Sequence, residues 1–363
     1  MKKTLKNAKG ITLVALVITI IILLILATIS IQSLTNTGLF KNAEKAREET
    51  NKATENQAKT LNEYEDELNK YVSGTTQTQK LADKVKVGDY VTYTPDALDS
   101  NTVSTLKSNL NTYSGNSSST VNAAIDRQDL KWRVLDVQNG QVRLISETPT
   151  TSKIELKGYN GYNNAVKLLD DTCNTLYNNS KLASKVQNLK IEDITKYMKT
   201  KPTENTTPYS PANKYYPNIL LKEKGQTVNG TTGKELDLSE QTEYINQTTK
   251  PQVSSWTLRN TYWTQTMNNT DSFTDAKYYE LFINNGSNYP TYWMSSRCVN
   301  ADSNDAIFIV RVVHSGIVYA LGLYYSYDIE YSNAFAFRPV ITLNSNVQVT
   351  SGNGSSESPF NIQ

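Results

Sequence analysis

The chain reads as an α+β protein: a long N-terminal helix that crosses a membrane and continues as a stalk, followed by a mixed, mainly antiparallel head domain. Three observations predict this. Residues Ile11 to Ile31 carry no charge, residues 40–72 lack glycine and proline, and short apolar runs parted by turn residues begin at Val85.

The uncharged run holds 21 residues, and its only polar side chains are Thr12, Thr19, Thr28 and Ser30. Such hydroxyls bond back to helix carbonyls and so tolerate lipid. At the rise of an α-helix the segment is roughly 31 Å long, close to the ~30 Å hydrocarbon core of a bilayer. Lys2, Lys3, Lys6 and Lys9 precede it with no acid among them, which keeps the N-terminus cytoplasmic and sends the rest of the chain outward. A secretory signal has a shorter apolar core of about 7–15 residues, and Ala27-Thr28-Ile29-Ser30 is a weak cleavage site. A plain uncleaved anchor stays open. The expected segments are therefore a basic leader at 1–10, a transmembrane helix at 11–31 and a stalk helix at 32–72.

Thr35-Asn36-Thr37-Gly38 can end the membrane helix, glycine being common just past a helix C-terminus. Alanine, glutamate and lysine then dominate, a composition that favours helix. Glu48 with Lys52, Glu55 with Lys59 and Asp66 with Lys70 place acids four residues before bases, a spacing that supports exposed helix faces. Leu61, Tyr64, Leu68 and Tyr71 form a narrow apolar seam. Residues 73–84 read as a linker, 85–350 as the head domain and 351–363 as a disordered tail.

Within the head, Val85–Tyr93 alternates as a half-buried strand does. Leu130–Val137 and Gln141–Ile145 flank Asn139-Gly140, the preferred pair for a tight hairpin turn. Tyr162–Tyr177 places Ala165, Val166, Leu169, Cys173 and Leu176 on one helix face, and Ile191–Met198 is a shorter helix. Residues 178–260, rich in Asn, Thr, Lys and Pro, read as long loops. Strands resume at Tyr292–Met294, Ala306–Val313, Ile317–Ala320 and Phe335–Ile341, with His314-Ser315-Gly316 turning a second hairpin.

The composition narrows the chemistry. With 37 bases, 35 acids and no basic block beyond the leader, no nucleic-acid partner is expected. One histidine and two distant cysteines, Cys173 and Cys298, provide no zinc site, although a disulfide is open to an extracytoplasmic head. Asp302-Ser303-Asn304-Asp305 lacks the spacing of a full calcium loop. No nucleophile, base and acid occur in a recognisable set, and His314 sits at a turn. The chain is thus read as a non-enzyme without cofactor or metal. Recognition fits better, because Leu323–Asn333 concentrates tyrosine with serine and asparagine, side chains that give large contact area at low entropic cost. Tyr319, Tyr324, Tyr325, Tyr327 and Tyr331 are the candidate binding residues. The plainer alternative is that a chain with 23 tyrosines clusters some by chance or in its core.

Lys9-Gly10 followed by Ile11-Thr12-Leu13-Val14 resembles the cleavage and methylation site of type IV prepilins and type II secretion pseudopilins. The resemblance implies that a prepilin peptidase cuts after Gly10, that Ile11 becomes the methylated N-terminus, and that assembly machinery packs the helix into a filament. Family members carry glutamate fifth in the mature chain, where this sequence has Ala15, so one filament contact is missing. Further on come Lys86-Val87-Gly88-Asp89, Trp132-Arg133-Val134-Leu135, a helix with Leu168 and Leu176-Tyr177-Asn178, Tyr292-Trp293-Met294-Ser295-Ser296-Arg297, and Phe337-Arg338-Pro339-Val340. Their order is similar to an uncharacterised bacterial surface domain related to C-type-lectin-like folds. That resemblance implies a C-type-lectin-like head with the Trp132 and Phe337 strands in its core sheet.

Together the resemblances imply a pilin-like surface protein, membrane-anchored or built into a filament, whose head binds a ligand or cell surface. The alternative is a structural pseudopilin of a type II secretion or DNA-uptake machine. Expected partners are the prepilin peptidase and assembly machinery, membrane lipid, filament subunits of the same or another kind, and an unidentified surface ligand. The expected place is the cell membrane, with the head extracellular.

Overall fold

A computed structural model describes residues 79–363 apart from 204, 206, 213–214, 218–220, 224–225, 230–233, 251, 254, 268 and 285–290, and before them residues 49, 50, 53 and 57, all helical. The leader, the apolar run, Gly10, Ile11 and nearly all of the stalk lie outside the described residues. Contacts divide the chain into Met1–Thr76 and Gln77–Gln363, and everything that follows concerns the second unit.

The α+β expectation with a long N-terminal helix is corrected. The described residues form a mostly β structure of twenty strands and five α-helices, and none of those helices is long and apolar enough to cross a membrane. Many of the strands are two to five residues long and pair with segments distant in sequence, as Val91 does with Phe360. Strands that short carry too few residues to show a period of two.

From the N-terminal side the elements are β1 (Gln79–Lys80), β2 (Tyr90–Thr92), α1 (Ser100–Tyr113), α2 (Thr120–Ala123), β3 (Trp132–Gln138), β4 (Gln141–Ser146), β5 (Lys153–Lys157), α3 (Gly158–Tyr177), β6 (Ala183–Asn188) and α4 (Ile191–Thr195). Short strands β7 (Pro208–Tyr209), β8 (Leu221–Glu223), β9 (Thr227–Asn229), β10 (Lys234–Leu236), β11 (Ser255–Arg259) and β12 (Gln265–Thr266) follow, then α5 (Ala276–Phe282). The C-terminal third is β13 (Tyr292–Ala301), β14 (Ala306–His314), β15 (Ile317–Tyr325), β16 (Ile329–Glu330), β17 (Ser332–Ala336), β18 (Pro339–Leu343), β19 (Gln348–Ser351) and β20 (Phe360–Ile362).

Strands β7 to β11 form two small sheets, and two large sheets hold the other fifteen. The first runs β1-β19-β20-β2-β3-β4-β18-β6, and the second runs β12-β15-β14-β13-β17-β5 with β16 beside β15. The β3–β4 hairpin forms at Asn139-Gly140, where both residues take positive φ. Ser315-Gly316 does the same between β14 and β15. The Trp132 strand and the strand after Phe337-Arg338 share the first sheet, with β4 between them. Linker and tail are corrected: β1 and a 3-10 turn at Leu81–Asp83 lie within 73–84, and β20 lies within 351–363, between β2 and β19. Phe360 is buried there, and its burial is what local composition does not reveal.

Helix α3 packs against β6, β13, β14, β15 and β5. Its apolar face, Ala165, Val166, Leu169, Cys173 and Leu176, is buried throughout, each large aliphatic side chain adding about 1.5–3 kcal/mol. Trp132 and Trp293 are both core residues. Residues 178–260 are not loop alone, since β6 forms an edge of the first sheet and β7 to β11 fall in the same stretch. Helix α1 arises in a run of Ser, Thr and Asn that has low helix propensity. Asp99 caps it by accepting from Thr102 N–H at 2.7 Å, and Leu106 and Leu110 bury its inner face.

A buried ion triad ties α4 to the β3–β4 hairpin. Arg143 donates to both Asp136 oxygens at 2.7 Å and to Asp193 at 2.5 Å, and the Tyr197 hydroxyl also donates to Asp136. Burial resists ionisation of Asp136, but Arg143 outweighs it and holds the carboxyl below its ordinary range.

Candidate functional site

The tyrosine-rich stretch forms the hairpin from β15 through Ser326-Tyr327-Asp328 to β16 and the start of β17. Asp328 takes φ 74, a conformation that aspartate tolerates better than most side chains. Its N–H closes the turn on the Tyr325 carbonyl at 2.9 Å.

The backbone of this hairpin is fastened from several sides. Ser326 N–H donates to the Ala306 carbonyl at 2.9 Å, and Ala306 N–H donates to Ser326 Oγ at 2.9 Å. Tyr331 N–H donates to the Leu323 carbonyl at 2.9 Å, while the Tyr331 carbonyl accepts from Gly158 N–H at 3.1 Å. Lys250 pairs with Asp328, and Tyr215 N–H bonds to the Ser326 carbonyl at 3.0 Å. The tip is held by β14, α3, Tyr215 and Lys250, so its side chains are displayed from a braced frame.

The five candidate tyrosines separate into two groups. Tyr325, Tyr327 and Tyr331 come together, with ring centroids 5.7 Å apart for Tyr325–Tyr327 and 5.1 Å for Tyr325–Tyr331. Tyr327 is 42% exposed, Tyr331 47% and the neighbouring Ile329 41%. Tyr325 lies against Gly322, where an added Cβ would meet its ring at 3.1 Å. The absent side chain gives the ring its seat.

Tyr324 is a correction. It is 0% exposed, packs near Phe308 and Tyr159, and its hydroxyl donates to Asp328 at 3.4 Å. It supports the hairpin from below and offers no surface. Tyr319 is half-buried and packs against the main core. Burial, then Tyr331 and Tyr327, pushes the Tyr325 hydroxyl up, so it stays protonated at neutral pH. The three rings make an aromatic patch able both to donate and to accept hydrogen bonds, with Glu330 exposed on the same hairpin.

The other sequence candidates lie away from this hairpin or within the core. The two cysteines are buried in different clusters and are not joined by a disulfide, Cys173 lying in the main core and Cys298 beside Ile309 and Ala320. Asp302-Ser303-Asn304-Asp305 is the β13–β14 turn, with Asp302 accepting from Asn304 and Asp305 N–H. Among the described residues no group of three metal-ligating side chains occurs. His314 is exposed at its turn, with Nδ1 3.3 Å from the Thr291 hydroxyl.

Sequence reasoning missed two polar features. One is Asp170, which accepts from the Ser295 hydroxyl at 2.7 Å and from Asn188 N–H at 3.0 Å; burial, despite the pull of Lys190, pushes its carboxyl up to about 6. The other is a cavity reached by Arg297, Arg311 and Lys201. The strand pattern does place Arg297 and Arg311 inside apolar runs, an anomaly that marks buried charge. No family model, curated protein or solved structure matches the chain.

Proposed function

We propose that this chain is a surface-displayed binding protein: a head presented outside the cell on a pilin-like, membrane-anchoring N-terminus, which engages a ligand or cell-surface component through the Tyr325–Tyr331 hairpin. One observation carries the reading. Tyr327, Ile329 and Tyr331 are three of the four large hydrophobic side chains exposed among the described residues, and all three lie on this hairpin. Clustered exposed apolar side chains mark interaction sites, whereas singly scattered ones do not. Tyrosines on a braced turn lose little entropy on binding, because their frame is already ordered.

The N-terminal half of the reading is supported by the lysine-flanked Gly10-Ile11 junction and the uncharged run that follows it. Processing by a prepilin peptidase and incorporation with filament subunits belong to the same proposal.

The test replaces Tyr325, Tyr327 and Tyr331 with serine in the full chain, in the native host, and leaves the buried Tyr324 alone. Cell or glycan binding should fall at least about tenfold, as expected for loss of aromatic hot-spot contacts, with surface display intact. Unchanged adhesion accompanied by lost secretion or DNA uptake would instead identify a structural pseudopilin. Mass spectrometry of the N-terminal peptide tests the mount: a methylated Ile11 terminus supports processing, and an intact Met1 terminus removes it.

A further inference from the structure

A cavity of about 250 Å³ opens among α4, the 201–202 segment, the 238–239 turn, residues 261–263 and strands β13 and β14. Arg311 reaches it from β14 and is almost wholly buried. Its guanidinium donates to the Trp263 carbonyl at 2.6 Å and the Thr261 carbonyl at 2.7 Å, and lies 4.3 Å from the centre of the Trp263 ring. All of these partners are neutral. Among the described residues no carboxylate pairs with Arg311, and none pairs with Lys201 at the exposed side of the cavity.

Arg297 lines the same space from β13, donating to the Asn163 carbonyl at 3.0 Å and the Asp237 carbonyl at 2.5 Å. One carboxylate faces the cavity, Glu192, and it accepts from the Ser239 hydroxyl at 2.7 Å. Arg311 and Lys201 thus share the lining with one carboxylate, Glu192. A guanidinium withdrawn from water keeps a strong demand for counter-charge that carbonyl oxygens meet only in part. Two carbonyl bonds use two of its five N–H donors, and its planar fork matches a carboxylate.

We propose that this cavity binds a sugar acid, whose carboxylate is taken by Arg311 and Lys201 and whose hydroxyls exchange hydrogen bonds with Glu192 and Ser239. Glu192 selects against a second negative charge and accepts from hydroxyl donors, which separates a monovalent hydroxy-carboxylate from phosphate. The site is independent of the tyrosine hairpin and shares no residue with it.

The experiment titrates the full-length protein with D-glucuronate, using D-glucose and inorganic phosphate as comparators. Saturable glucuronate binding that weakens with salt is expected, with glucose at least about tenfold weaker, since it lacks the charge-assisted bonds. Arg311→Lys should weaken glucuronate binding by more than about tenfold, because an ammonium cannot reproduce the bidentate fork. Lys201→Gln, at an exposed position that leaves the fold intact, should weaken it about two- to fivefold. If Arg311→Lys fails to fold, Lys201→Gln decides alone. Equal binding of glucose, preference for phosphate, absence of saturable glucuronate binding, or a wild-type affinity in Lys201→Gln would each overturn the assignment. Serine at Tyr327 and Tyr331 should leave glucuronate affinity unchanged, and a loss there would place the ligand at the hairpin instead.

Discussion

Tyr324 and Tyr327 stand three positions apart in one stretch, yet the first is fully buried and the second is 42% exposed. The cause is a bulge in β15: Phe308 faces Tyr324 while the next residue, Ile309, faces Gly322, leaving Leu323 as the extra residue. A bulge breaks the alternation of faces, so Leu323 and Tyr324 both turn inward. No sequence pattern announces that slip, and the five tyrosines were therefore indistinguishable as a set. Asp170 was hidden for a related reason, since its partners Ser295, Asn188 and Lys190 lie on other segments of the chain. Its carboxyl, pushed up to about 6 by burial, binds a proton more tightly folded than unfolded. Stability should fall as pH rises from about 4 to about 6 and then level off. Asp170→Asn keeps an oxygen for both donors and removes the buried charge, so it should flatten that part of the profile and stabilise the protein above pH 6, by at most about 3 kcal/mol. Urea unfolding from pH 4 to 8 checks it; identical slopes in the two proteins would show that Asp170 does not titrate in this range.

The hairpins are where element-level reading succeeded. Asn139-Gly140 turns β3 into β4, because glycine and asparagine enter left-handed backbone at low cost, and between β14 and β15 Gly316 does the same beside Ser315 at φ 49. An added Cβ at Gly140 would meet nothing within 4 Å, so its cost is conformational alone. Gly140→Val should therefore lower stability by about 1–2 kcal/mol, read as a shift in the denaturant midpoint with unchanged slope. No loss of stability would mean that the turn relaxes to another type. Helix α3 was equally readable, since its apolar positions recur at helical spacing. Helix α1 was not, because its Ser, Thr and Asn residues have low helix propensity and its stability comes from the Asp99 cap and the burial of Leu106 and Leu110.

The described unit closes through its C-terminus. β20 enters the first sheet between β2, to which it runs parallel, and β19, to which it is antiparallel. Phe360 is buried among core residues from β2 and β3, so a segment with the composition of a tail is an interior strand. Phe360→Ala should cost about 3–5 kcal/mol, as other large-to-small core changes do. Removal of residues 352–363 should cost more, because β2 and β19 also lose their ladder partner. Thermal unfolding of the two proteins tests this, and an unchanged midpoint after truncation would show β20 to be dispensable.

Local chemistry alone carried the tight turns, the α3 face and the concentration of tyrosine between Leu323 and Asn333, since each depends on residues within a few positions of one another. The tertiary structure decided the mostly β architecture, the insertion of β20, and the division of the tyrosines into Tyr324 below and Tyr325, Tyr327 and Tyr331 above. It also brought Lys201, Arg297 and Arg311 to one cavity from three separate segments. Short strands gain their hydrogen bonds and buried area from distant partners, and a side chain's exposure follows from what packs over it. Neither is present in the local pattern of residues.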